Sequence, residues 1–203
     1  NKIDADNIDL GRLVEVYNRK VEELRALLPA HVELISLQAV GLPLDLPENG
    51  DTLEANAREK ARYAFERTGL HCLADDTGLE VPFLKGAPGV RSARYAGEGK
   101  DPRANMQLLL NDMEGAVDRS ARFRTVLALI GPGVDEVFEG IVDGTLTRAP
   151  RGSGGFGYDP LFVPAGSNLT FAEMDAVSKN TLSHRARAVK RFLAWVGSTT
   201  GSG

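Results

Sequence analysis

Two adjacent carboxylates, Asp75 and Asp76, follow the apolar run Cys72-Leu73-Ala74 and are followed at once by Thr77-Gly78. In an extended strand successive side chains point to opposite faces, so one carboxylate faces a given ligand while the other braces it. A carboxylate in that position can hold a divalent cation or take a proton from water, and the Thr77 hydroxyl can bond an anionic substrate. Gly78 predicts a bend at a sheet edge, where open α/β sheets gather their ligands. The same residue types also describe an ordinary surface turn. Downstream, Gly86-Ala87-Pro88-Gly89 precedes Arg91, Arg94 and Tyr95, so an acid pair, a tight turn and basic groups crowd into one stretch.

Two later segments carry further chemistry. Gly152-Ser153-Gly154-Gly155-Phe156-Gly157-Tyr158-Asp159-Pro160 is a glycine-rich loop with two aromatics and one acid. Its glycines let backbone N–H groups approach a ligand, Phe156 offers a flat face for a nucleobase, and Asp159 can accept from a base edge. It matches neither the Walker nor the dinucleotide-binding pattern, and a wide loop between strands reads the same way. Lys179-Asn180-Thr181-Leu182-Ser183-His184-Arg185 places three basic-capable groups at a predicted helix start, which favours an anion or a carbonyl oxygen. A solvated helix capped by Ser183 is the plainer reading of that segment.

These segments need a scaffold, and the chain supplies an ordinary one. It has 203 residues, 42% hydrophobic and 26% charged, enough for one sizeable core. A net charge of −4 argues against broad adhesion to nucleic acid or anionic membrane. A single cysteine, Cys72, excludes an internal disulfide framework and suits a reducing, cytoplasmic setting. His31, His71 and His184 lack metal-ligand spacing, and no stretch approaches the length of a membrane span.

Hydrophobic period predicts a strand at Leu13–Val16, a helix at Val21–Leu28, a strand at Val32–Ser36 and a loop over Leu42–Gly50. Asp51 with Glu54 three residues on suggests a capping box opening a helix that Gly69 ends. Asp101-Pro102 predicts an N-cap and first helical proline of a helix reaching about Met113. Ala121–Gly131, Val134–Val142 and Thr145–Thr147 read as antiparallel strands, with Asp143-Gly144 as a turn. The last helix is expected from Ser183 to Val196, followed by a flexible Gly197–Gly203 tail. The order predicts an α/β fold: a mixed twisted sheet with flanking helices.

Taken together, ADDTGLEV…GAPGVRSARYAGEG, GFGYDPLF and K…SHR resemble the inosine triphosphate pyrophosphatase family, also termed Ham1-like, in the family's motif order from about Leu13 to Leu193. The polar, period-free start and the Gly/Ser/Thr-rich end leave a single domain expected over residues 12–197, between a 1–11 leader and a 198–203 tail. The resemblance implies an elongated two-lobed fold with a central cleft and a homodimer. It further implies a Mg²⁺-dependent enzyme that cuts ITP, dITP or XTP to monophosphate and pyrophosphate, with no nucleic-acid or membrane partner. On this chain Asp76 becomes catalytic base and metal ligand, with Asp75 in support and Thr77 contacting substrate. Phe156 stacks on the base, Gly157 and Tyr158 shape the pocket, and Asp159 meets the base edge. Lys179, His184 and Arg185 read the 6-oxo purine, since cationic donors suit a carbonyl oxygen and leave an unpaired donor against the amino group of adenine.

Two departures from the family pattern stand out. The triphosphate loop is reduced to Val16-Tyr17-Asn18-Arg19-Lys20, about one residue short, with Lys20 and Asn18 as its remaining candidates. Counting back from Lys60, the family's metal-binding Glu falls on Ala55, which leaves Glu54, about 100° round the helix, as the second metal candidate. Two alternatives therefore stay open: a nucleotide-binding protein of the same fold with weak or lost hydrolysis, and a Maf-like pyrophosphatase of other nucleotides.

Overall fold

The computed structural model describes residues 10–16, 28, 30 and 32–200. Asn18, Lys20, residues 1–9 of the expected leader and nearly all of the expected Val21–Leu28 helix lie outside the described residues. Leu10, expected in the leader, is instead buried in the core because its side chain packs with Leu13 and Leu34. Among the described residues seven strands form one sheet: β1 (Arg12–Glu15), β2 (Glu33–Ser36), β3 (His71–Glu80), β4 (Pro88–Gly89), β5 (Ser120–Gly131), β6 (Val134–Leu146) and β7 (Phe162–Pro164). The main path runs β2-β1-β3-β5-β6-β7, and β4 pairs with β3 off it. β1 lies parallel to β2 and β3, whereas β4 and β7 pair antiparallel to their neighbours, so the sheet is mixed as expected. The described helices are α1 (Leu53–Thr68), α2 (Pro102–Asp112), α3 (Ala176–Leu182) and α4 (His184–Thr200).

The chain divides into two compact units. In the first, comprising residues 1–76, 126–139 and 188–203, Leu13, Leu34, Leu73, Leu127 and Leu129 pack with Ala188, Phe192 and Val196 of α4. Those three α4 residues recur every four positions and are fully buried, which fixes the buried face of the helix. Helix α1 buries Leu53, Ala57, Ala61 and Ala64. Its N-cap is Thr52, whose hydroxyl accepts from the Ala55 amide at 3.0 Å, and not Asp51. A capping box headed by Asp51 is therefore absent, because a threonine one residue later already satisfies the first turn. Gly69 closes α1 in the left-handed conformation at φ 67°, as the sequence suggests.

The second unit, residues 77–125 and 140–187, has a core of Leu79, Leu109, Met113, Phe123, Leu161, Phe162 and Phe171. Phe123 and Phe162 meet edge to face at 4.7 Å. Asp101 caps α2 through the Arg103 amide, with Pro102 at the first turn, as expected.

Three readings are corrected here. Thr77-Gly78 forms no turn: β3 runs unbroken from His71 to Glu80, because pairing with β5 and then with β4 at Leu79 and Glu80 overrides local turn chemistry. Asp143-Gly144 does not divide β6 either. A Cβ on Gly144 would strike the Val163 carbonyl and the Phe162 ring, so this glycine serves close approach of β7. Finally, Lys179 sits in the separate short helix α3, because Ser183, with extended φ −66° and ψ 152°, interrupts the run before α4. Helix α4 then continues to Thr200.

Gly144→Ala is expected to lower unfolding free energy by about 2 kcal/mol, since backbone of β7 must move to admit the methyl. Urea denaturation followed by circular dichroism measures it; an unchanged midpoint would remove the close-approach role.

Candidate active site

In the first unit a carboxylate centre forms between β3 and α1. Cys72, Ala74 and Asp76 alternate toward α1, and Asp76 is gripped there by two residues of that helix. Asn56 donates to Asp76 Oδ2 at 3.2 Å and Lys60 donates to Oδ1 at 3.1 Å. These two residues are four apart and so share a helix face. Asn56 is itself fixed, its Oδ1 accepting from the Gly50 amide at 2.7 Å, and Lys60 reaches Glu48 Oε1 at 2.7 Å. Lys60 thus bridges two acids, Glu48 and Asp76.

Burial pushes the Asp76 carboxyl up to about 6; Lys60 opposes the rise by charge and hydrogen bond, Glu48 adds to it, and Asn56 opposes it. For Lys60 burial acts downward, but Asp76, Asp75 and Glu48 outweigh it and hold the ammonium above its ordinary range. Asp75 is buried, on the opposite face of β3 from Asp76. The result is a buried acid poised near neutrality beside a persistent cation, a fit arrangement for accepting a proton from water.

Glu54 is not brought to Asp76. It lies about 200° round α1 from Asn56, and its carboxylate bonds Arg58 at 3.2 Å on the surface. No group of three or more His, Cys, Asp or Glu among the described residues could hold a metal by itself.

In the second unit the glycine-rich loop builds a candidate recognition surface. Asp159 is buried, and its Oδ2 accepts from the Phe156 amide at 2.7 Å and from Lys179 Nζ at 2.5 Å. Gly155 makes this possible, since at φ 73° a Cβ there would collide with that carboxylate. Phe156 is left 41% exposed, with Lys179 Nζ 4.9 Å and the Arg185 guanidinium 5.6 Å from its ring centre. An open aromatic face beside two cations suits a planar, oxygen-bearing heterocycle.

The remaining expected residues sit further back. Tyr158 is buried, donates to the Ser92 carbonyl at 2.9 Å, and its phenol is raised well above the ordinary range by burial and by Tyr95. It anchors the loop, and Gly157 at φ 60° supplies the backbone turn beside it. Ser92 in turn accepts from the Leu79 amide at 2.8 Å and donates to the Gly89 carbonyl at 2.6 Å, tying the Arg91–Tyr95 stretch to β3. His184 is buried, stacked on Phe123 at 4.8 Å, and its Nδ1 lies 2.6 Å from Thr125 Oγ1. Thr125 also meets Thr77 at 2.6 Å, and Arg185 donates to Thr77 at 3.4 Å.

Sequence reasoning missed Glu48, Asn56, Lys60 and Thr125. The spacing of Asn56 and Lys60 on one helix face was a usable signal; Glu48, in a loop, carried none.

Residues 17–195 match the Ham1 family. The dITP/XTP pyrophosphatase of Porphyromonas gingivalis is 50% identical over 174 residues, 85% of this chain and 90% of that protein. The dITP/XTP pyrophosphatase of Bacillus licheniformis is 46% identical over 179 residues, covering 86% and 91%. Among solved structures, the Staphylococcus aureus Ham1 protein superposes with a TM-score of 0.86 at 34% identity, over 91% of this chain and 97% of that one. The Coxiella burnetii HAM1 protein gives 0.86 at 36%, over 91% and 98%. With its family match spanning nearly the whole sequence and its relatives close along almost their full length, the chain belongs to the Ham1 family.

Proposed function

We propose that the chain hydrolyses deaminated purine nucleoside triphosphates, dITP and XTP first among them, to the monophosphate and pyrophosphate. The observation that carries the substrate class is Asp159 Oδ2 gathering both the Phe156 amide and the Lys179 ammonium. That single carboxylate sets an exposed ring for stacking and a cationic donor for a carbonyl oxygen. Relatives at up to 50% identity named dITP/XTP pyrophosphatase support the same reading.

Asp76 acts as general base, taking a proton from the water that attacks phosphorus, with Asn56 and Lys60 holding its carboxylate in place. Arg185 and Lys179 offer donors to the 6-oxo group, and the amino group of adenine would leave them unpaired. A divalent cation fits this chemistry. Mg²⁺ is commonly held by one or two carboxylates plus substrate phosphates and not by an all-protein cage. Asp76 and Glu48, joined through Lys60, supply such an oxygen set, which suits an ion arriving with the nucleotide. When bound it would neutralise triphosphate charge.

Pyrophosphate release from dITP, XTP, dATP and dGTP with Mg²⁺, with products identified, tests the reading; selective release from the first two is expected, and equal release from all four would overturn it. Asp76→Asn should abolish turnover while leaving nucleotide affinity within a few-fold, read by isothermal calorimetry. A base must be ionised, so kcat/KM should rise with pH through about 6 and flatten above. Because Lys60 opposes the rise in the Asp76 pKa, Lys60→Met should move that acid limb to higher pH. Phe156→Ala should weaken dITP binding by about tenfold or more through lost stacking. Ala55→Glu should lower the Mg²⁺ concentration needed for half-maximal rate; no change would show that the acids already present suffice.

A further inference from the structure

Thr125 is fully buried, and its hydroxyl lies 2.6 Å from Thr77 Oγ1 and 2.6 Å from His184 Nδ1. A hydroxyl has one proton to give. One neighbour therefore receives it and the other supplies its own, which leaves two senses for the chain. In one, Thr77 donates to Thr125 and Thr125 donates to His184 Nδ1, so Thr77 turns only lone pairs toward an incoming anion. In the other, the His184 Nδ1–H donates to Thr125, Thr125 donates to Thr77, and the Thr77 proton is directed away from both.

The second sense agrees with the surroundings. In that sense Thr125 donates to Thr77 Oγ1 beside Arg185, a donor with no acceptor that approaches the same oxygen at 3.4 Å, so both contacts treat it as an acceptor. Donor bonds running in one direction polarise one another and strengthen the last hydroxyl as a donor. The His184 ring is held for this task, stacked on Phe123 with 25° between planes and almost wholly enclosed.

We propose that Thr125 is a positioning residue that relays the donor sense of the buried His184 to Thr77, committing the Thr77 hydroxyl to donate to an anionic oxygen of the nucleotide. This rests on the reading that Thr77 meets a nucleoside triphosphate. It gives His184 a role through the interior, and it makes the Thr125 hydroxyl, not merely its volume, a determinant of substrate binding.

The test joins two readouts. Long-range ¹H–¹⁵N correlation of the unliganded, histidine-labelled chain at neutral pH should show His184 Nδ1 carrying a proton; a bare Nδ1 overturns the relay. Thr125→Val keeps shape and removes the hydroxyl. It should raise KM for dITP about tenfold, the weight of one charge-assisted hydrogen bond. Its kcat should stay within about twofold, and Thr125→Ser should restore KM. A KM within about twofold of wild type overturns the proposal, as does failure of the serine to restore it. If the wild-type chain releases no pyrophosphate from dITP or XTP, the functional reading falls on its own, and the nitrogen spectrum still decides the protonation on which the relay depends.

Discussion

Neighbouring residues of a β-strand cannot face the same way, and this constraint organises β3. Asp76 turns to α1, where Asn56 and Lys60 hold it, while Asp75 and Thr77 turn to the other face. One peptide unit thus separates a carboxylate near neutrality from a hydroxyl engaged with Thr125 and Arg185. A turn at Thr77-Gly78 would have abolished that alternation. The strand persists because β4 and β5 pair with it.

Acidity at Asp76 is set by competition. Burial favours the neutral carboxyl, Lys60 favours the carboxylate, and burial is the larger influence, leaving the group near 6. Glu48 has two effects: it fixes Lys60 by a 2.7 Å bond, and its charge also raises Asp76. The surface proposed to read the base follows another rule. There one buried carboxylate, Asp159, satisfies a backbone amide and an ammonium together, so loop conformation and cation placement depend on the same atom. Buried charge is tolerated because it is paired.

The two departures from the family pattern have unequal structural weight. The shortened Asn18–Lys20 segment falls outside the described residues. Ala55 lies on α1 beside Asn56, and Glu54, on the far side, is bonded to Arg58 and not turned to Asp76. The chain nevertheless keeps the acid pair, the helix face that grips Asp76 and the loop that presents Phe156.

Much was legible from sequence alone. Alternation predicted that Asp75 and Asp76 diverge, the mixed sheet followed from element order, and Asp101, Gly69 and Ser183 marked their helix ends, because these features depend on residues near one another in the chain. Phe156, Asp159 and Lys179 stood out by type and spacing, and the structure joins them at Asp159 Oδ2. Tertiary structure alone decided the rest. It turned Tyr158 from a pocket wall into a buried anchor on Ser92, converted Gly144 from a turn signal into a point of close strand contact, and brought Glu48 to Lys60 and Thr125 between Thr77 and His184. Each of those contacts joins residues distant in sequence or overrides a local preference with strand pairing, and no local pattern encodes which distant group will arrive.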